Sequence, residues 1–139
     1  MTTAKVSVEV NANADLVFSK LGDFTGIESD LIKTKKTTGT GVGSVRDVTL
    51  VTGGRIVERC DNLDATSRTL TYSIQNDDHP LPFKAYVATL TVTPTKGNSC
   101  RVDWFSNFDV KSGTEAEAVE TAKHIYTSLI AETQKQLAG

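Results

Sequence analysis

The chain has 139 residues, a length that fits one domain built on one core. Apolar residues make up 38% and charged residues 23%, as in an ordinary globular protein, and no stretch approaches the roughly 20 apolar residues of a membrane span. The net charge is −2 and the 15 basic residues are scattered apart from Lys33, Lys35 and Lys36, which excludes an electrostatic footprint for nucleic acid.

The N-terminal stretch MTTAKVSVEV lacks the apolar core of a secretory signal and alternates instead. Lys5 to Val10 carries apolar residues at every second position, which predicts a half-buried strand. Asn13 is placed as an N-cap for a helix over Ala14 to Leu21, with Leu16, Val17, Phe18 and Leu21 at helical spacing. Gly22 and Gly26 end it, and a second short helix or turn is expected near Ile27 to Leu31.

From Ile32 the pattern becomes that of strands. Ile32 to Thr38 is polar, a solvated edge. Gly39 to Gly43 turns the chain, Ser44 to Val51 alternates, Thr52-Gly53-Gly54 turns it again, and Arg55 to Leu63 runs back. GTGVG at 39–43 joins two strands with no helix after it, so it is a hairpin turn and not a phosphate loop. Arg68 to Ile74 follows, then a polar, proline-flanked loop over Gln75 to Phe83. Lys84 to Thr93 and Cys100 to Val110 form a hairpin closed by Gly97-Asn98. The chain ends differently. Thr114 or Gly113 caps a helix with Glu115 and Glu117 in its first turn. Val119, Ala122, Tyr126, Leu129, Ile130, Thr133 and Leu137 then recur near every 3.6 residues. About 24 residues at about 1.5 Å each give roughly 36 Å, enough to cross a small domain.

Short hairpin connections require antiparallel neighbours. The order therefore predicts an α+β domain: a curved seven-stranded antiparallel sheet around one long C-terminal helix, with two short helices after the first strand. Wrapping such a sheet around one helix leaves space inside. No repeat or linker divides residues 1–139.

Strand alternation sets which side chains point inward. Arg46 shares a face with Val48 and Leu50, Glu58 with Ile56 and Cys60, Tyr72 with Leu70 and Ile74, and Tyr86 with Ala88 and Leu90. Trp104 and Phe108 share another inward face, and both suit plain core as well as a guest. Arg46 and Glu58 lie on hairpin neighbours and can pair across the ladder. A closed internal salt bridge and the polar end of an apolar cavity both fit that pair. Candidate ligand contacts on the sheet are Arg46, Leu50, Ile56, Glu58, Tyr72, Tyr86, Ala88, Trp104 and Phe108. On the helix they are Tyr126 and Ile130. His124 is expected in solvent or in helix-side packing.

His79 and His124 cannot make a metal site alone, and no HExxH, Walker loop, GxGxxG or GxSxG occurs, so neither metal nor cofactor is expected. Cys60 and Cys100 match no zinc or redox spacing. They are expected as reduced thiols in a cytoplasmic protein, a monomer or weak homodimer.

The runs GSVRDVTLVTGGRIVERCDNLDATSRTLTYSI, LPFKAYVATLTVTP and CRVDWFSNFDV resemble the SRPBCC or START-like superfamily, and within it the polyketide cyclase/dehydrase group. The resemblance spans roughly Val6 to Leu137. It implies a helix-grip fold with a hydrophobic cavity but no single reaction, since members include carriers, receptors and cyclases. Arg46, Glu58 and Tyr86 match the cavity arginine, glutamate and tyrosine of lachrymatory factor synthases. By that resemblance they are candidate catalytic residues. Abscisic acid receptors share the Glu58 and Tyr86 positions. This chain, however, has Thr52-Gly53-Gly54-Arg55-Ile56 in place of their SGLPA gate and Ser29 where their cavity lysine falls. Many bacterial relatives carry a tryptophan after the first helix, and GDFTGIESDL has none.

Three functions follow as expectations. The first is a carrier or sensor for a small hydrophobic ligand, with Arg46 suited to a carboxylate or enolate. The second is a cofactor-free cyclase, dehydratase or isomerase, with Glu58 as acid-base group, Tyr86 donating to a developing oxyanion and Arg46 stabilising its charge. The third is a regulatory module whose loops Thr52 to Arg55 and Asp77 to Phe83 close on a ligand and meet a protein partner.

Overall fold

A computed structural model describes residues Met1–Ala138. The elements run β1 (Thr2–Val10), α1 (Ala14–Leu21), β2 (Ile32–Thr38), β3 (Val45–Leu50), β4 (Arg55–Asp64), β5 (Thr69–Ile74), β6 (Phe83–Pro94), β7 (Cys100–Val110) and α2 (Glu115–Ala138). The seven strands form one antiparallel sheet in the order β1-β7-β6-β5-β4-β3-β2. This is the expected helix-grip architecture. No described helix is long and apolar enough to cross a membrane.

Local chemistry fixes the helices. The Asn13 side chain accepts from the N–H groups of Asp15 and Leu16 and starts α1. At α2, Thr114 Oγ1 accepts from the Glu117 N–H while the Glu117 carboxylate accepts from the Thr114 N–H, a reciprocal capping box. The second short helix expected near Ile27 to Leu31 does not form. Side chains there take the backbone groups a helix would use. Asp23 accepts from the Gly26 N–H, Ser29 Oγ accepts from the Leu31 N–H, and Lys35 Nζ donates to the Ile27 carbonyl.

Two irregularities aim side chains at the interior. The β6 register shifts between Lys84 and Val87, where Ala85 has φ 53°. This bulge buries both Phe83 and Tyr86, although they are three residues apart. A second shift, between Cys60 and Asn62 on β4, puts Cys60 and Leu63 against the same core.

Helix α2 rests mainly on β1 and β7. Ala118 and Ala122 on the helix, and Ala4, Ser106 and Ala88 in one row across the sheet, are all fully buried. Such small side chains let the helix backbone come close. Further along, Trp104 stacks on Tyr126 with ring centroids 4.7 Å apart. Leu70, Leu90, Val102 and Ile130 complete this core. Over β2 to β5 the sheet stands off from the helix.

Candidate functional site

The gap between α2 and the β2–β5 half of the sheet is a cavity of about 610 Å³. Its walls are mostly aliphatic: Ile32 on β2, Val48 and Leu50 on β3, Ile56 on β4, Ile74 on β5, and Ile125 and Leu129 on α2. Ile27, Ser29 and Leu31 close one side, and Leu81 closes another from the β5–β6 loop. Val51, Thr52, Glu120, Thr121 and His124 also line it, toward the surface.

The inner end is polar. Arg46 and Glu58 are direct cross-strand partners, with Nε donating to Oε1 at 2.9 Å and side chains only 10% and 13% exposed. Arg46 Nη1 donates to the Phe24 carbonyl at 3.0 Å. The guanidinium carbon lies 4.1 Å from the Phe24 ring centroid and 5.1 Å from that of Tyr72. Both distances are in cation–π range. A buried pair gains from such extra bonds, which offset the cost of leaving water.

Tyrosines complete this corner. The Trp104 Nε1–H donates to the Tyr72 hydroxyl at 3.2 Å. The hydroxyls of Tyr86 and Tyr126 are hydrogen-bonded to each other. Burial raises the ionisation of Tyr72 and of Tyr86 far above the phenol range, and pushes Tyr126 up to about 12. All three therefore stay protonated near neutral pH and act as neutral hydrogen-bonding groups.

Six of the eleven candidates named from sequence meet in the cavity: Arg46, Leu50, Ile56, Glu58, Tyr72 and Tyr86. The other five do not line it. Ala88, Trp104, Phe108, Tyr126 and Ile130 belong to the packed core, where α2 sits directly on the sheet. Tyr126 reaches the cavity through its hydrogen bond to Tyr86. His124, expected in solvent or packing, is exposed but lines the cavity beside Thr121. Ile125 and Leu129 were discoverable as the flank of the apolar helix stripe. No periodicity marks the Ile27–Leu31 wall.

Among the described residues no group of three His, Cys, Asp or Glu is placed to hold a metal. Both cysteines are free and buried, and burial raises their thiols. The β3–β4 and β5–β6 loops touch. Gly54, at φ 90°, lies so near Pro80 that an added Cβ would come within 2.6 Å of its Cγ.

The family profile described as polyketide cyclase/dehydrase and lipid transport matches residues 1–138. The chain belongs to this family. Among solved structures, the family member described here is similar to the protein XoxI from Bacillus cereus, with 26% identity and a TM-score of 0.86 over 98% of this chain and 95% of that one. An uncharacterised protein from Bacillus thuringiensis matches at 25% identity and a TM-score of 0.87, over 99% of this chain and all of that one. Norcoclaurine synthase from Thalictrum flavum, solved with dopamine and hydroxybenzaldehyde, shares the fold at 20% identity and a TM-score of 0.73, over 99% of this chain and 86% of its own. No curated protein matches by sequence.

Proposed function

We propose that this chain binds a small amphipathic molecule between sheet and helix, as a carrier or sensor. The apolar body would lie on the aliphatic walls and the polar group would face Arg46, Glu58 and Tyr86. The observation that carries this reading is one cavity of about 610 Å³ whose aliphatic walls end in a buried, tyrosine-flanked ion pair. Each Å² of apolar surface moved from water to such walls contributes about 25 cal/mol. The family's description includes lipid transport, which supports a carried ligand.

The test is a fluorescence titration with Nile red, an uncharged solvatochromic dye, beside native mass spectrometry of the purified protein. Saturable binding is expected. Leu50→Trp, which fills the cavity from β3, should weaken it roughly tenfold while circular dichroism stays unchanged. No saturable binding by the wild type sinks the proposal.

A second reading, the cofactor-free cyclase, dehydratase or isomerase, is favoured by Glu58. It is a carboxylate in the cavity with only one oxygen engaged, near Tyr86 as donor. If it holds, Glu58→Gln lowers turnover of a candidate substrate roughly a hundredfold or more. Equal turnover by the variant removes it.

A further inference from the structure

Arg46 alone suggests an anionic guest, but its surroundings point elsewhere. Its charge is already balanced by Glu58 at 2.9 Å. Its Nη1 is committed to the Phe24 carbonyl, and two aromatic rings lie against the guanidinium. What remains is Nη2, which makes no hydrogen bond to a described residue, and Oε2 of Glu58, which accepts none. Ser106 Oγ is the one fully buried side-chain polar atom without a partner among the described residues. Nη2 and Oε2 are therefore not sealed in, and both residues line the cavity. Beside the tyrosine hydroxyls, the ion pair itself thus offers a donor and an acceptor on directly opposed residues of neighbouring strands.

We infer that the cavity selects an uncharged headgroup carrying a hydrogen-bond acceptor next to a donor, an amide above all, and discriminates against a carboxylate on the same chain. This rests on the proposed binding function and names the chemistry of its ligand. An amide carbonyl accepts from Nη2 while its N–H donates to Oε2. A carboxylate has two acceptors and no donor, so it sets a negative oxygen against Glu58 in an apolar enclosure. An ammonium makes the mirror-image error against Arg46. Tyr72 and Tyr86 on the cavity wall stay neutral, and Glu120 and His124 lie on the exposed face of α2. Glu120 adds charge of the same sign as Glu58 and so gives an anion no relief.

The experiment is isothermal titration calorimetry at neutral pH with decanamide, decanoate and 1-decanol. Decanamide is expected to bind roughly tenfold or more tighter than decanoate, because a hydrogen bond to a charged group is worth at least that factor. It should also bind tighter than 1-decanol. Glu58→Gln leaves Arg46 unbalanced and should narrow or reverse the order of amide and carboxylate. Decanoate binding as tightly as decanamide overturns the inference, as does 1-decanol matching decanamide, while either leaves the cavity reading standing. An undiminished preference for decanamide over decanoate in folded Glu58→Gln also overturns it. If none of the three binds, the cavity reading falls and this inference with it. Should Glu58→Gln fail to fold, the wild-type order decides.

Discussion

The two halves of the sheet treat the same helix differently. Under β1 and β7, small, fully buried side chains bring α2 down until Trp104 and Tyr126 stack. Over β2 to β5, Ile32, Val48, Leu50, Ile56 and Ile74 are just as apolar, but they border a cavity. Apolar character alone therefore does not make a core. What decides is whether a second surface comes within van der Waals reach. The closed half is packed core, and the open half borders a cavity of about 610 Å³.

This contrast can be broken by mutation. The largest effect is expected in the closed half. Trp104→Ala should cost about 3–5 kcal/mol in urea unfolding, because its large, fully buried volume cannot be refilled. Arg46→Met in the open half should cost about 2–3 kcal/mol by leaving Glu58 unpaired, and Glu58→Leu added to it should restore most of the loss. If the double variant is no better than the single one, the ion pair is not the cause. Ile56→Ala, at the cavity wall, should cost about 2 kcal/mol or less, since one side of Ile56 already faces space. A loss equal to that of Trp104→Ala would mean the two halves are packed alike.

The smallest effect is on pH dependence at the rim of the open half. His79 is buried in the β5–β6 loop, where its Nδ1 accepts from the Leu81 N–H. Burial, with Lys111 nearby, holds its ionisation below the ordinary imidazole value. The folded state thus binds the proton less readily than the unfolded one. His79 contributes stability at neutral pH, and that contribution fades as pH falls through the unfolded value of about 6.5. The loss should be small and should be absent in His79→Gln. A wild type and variant with parallel stability curves from neutral to acid pH would contradict this.

Much of the fold is legible in the residues because its signals are local. Asn13 starts α1, Thr114 and Glu117 start α2, and Gly53-Gly54 and Gly97-Asn98 turn the hairpins. Strand alternation put Arg46 and Glu58 on the inward faces of neighbouring strands, and the register sets them opposite each other. The burial of Phe83 at the start of β6 was not legible, because the bulge at Ala85 shifts the phase that alternation relies on. The helical expectation for Ile27 to Leu31 lost to Asp23, Ser29 and Lys35, whose competing bonds depend on where the chain passes in space. The cavity was half legible. Inward-facing residues were identified, but sequence did not say which of them touch the helix. Trp104 and Ile56 both point inward. Only the small residues beneath α2 separate core from cavity wall.

Strand β2 carries a last consequence. It ends the sheet, so one row of its peptide groups has no strand partner. Unpaired edges of this kind recruit strands from other molecules and seed aggregates. The sequence IKTKKTT sets Lys33 and Lys36 exposed along that edge, with Lys35 turned back toward Ile27. A second copy arriving edge to edge would bring lysine against lysine, and like charges placed opposite one another are repelled. The cluster that carried no message for nucleic acid thus places like charges where unwanted sheet growth would begin, on the margin of the half that stands off from the helix.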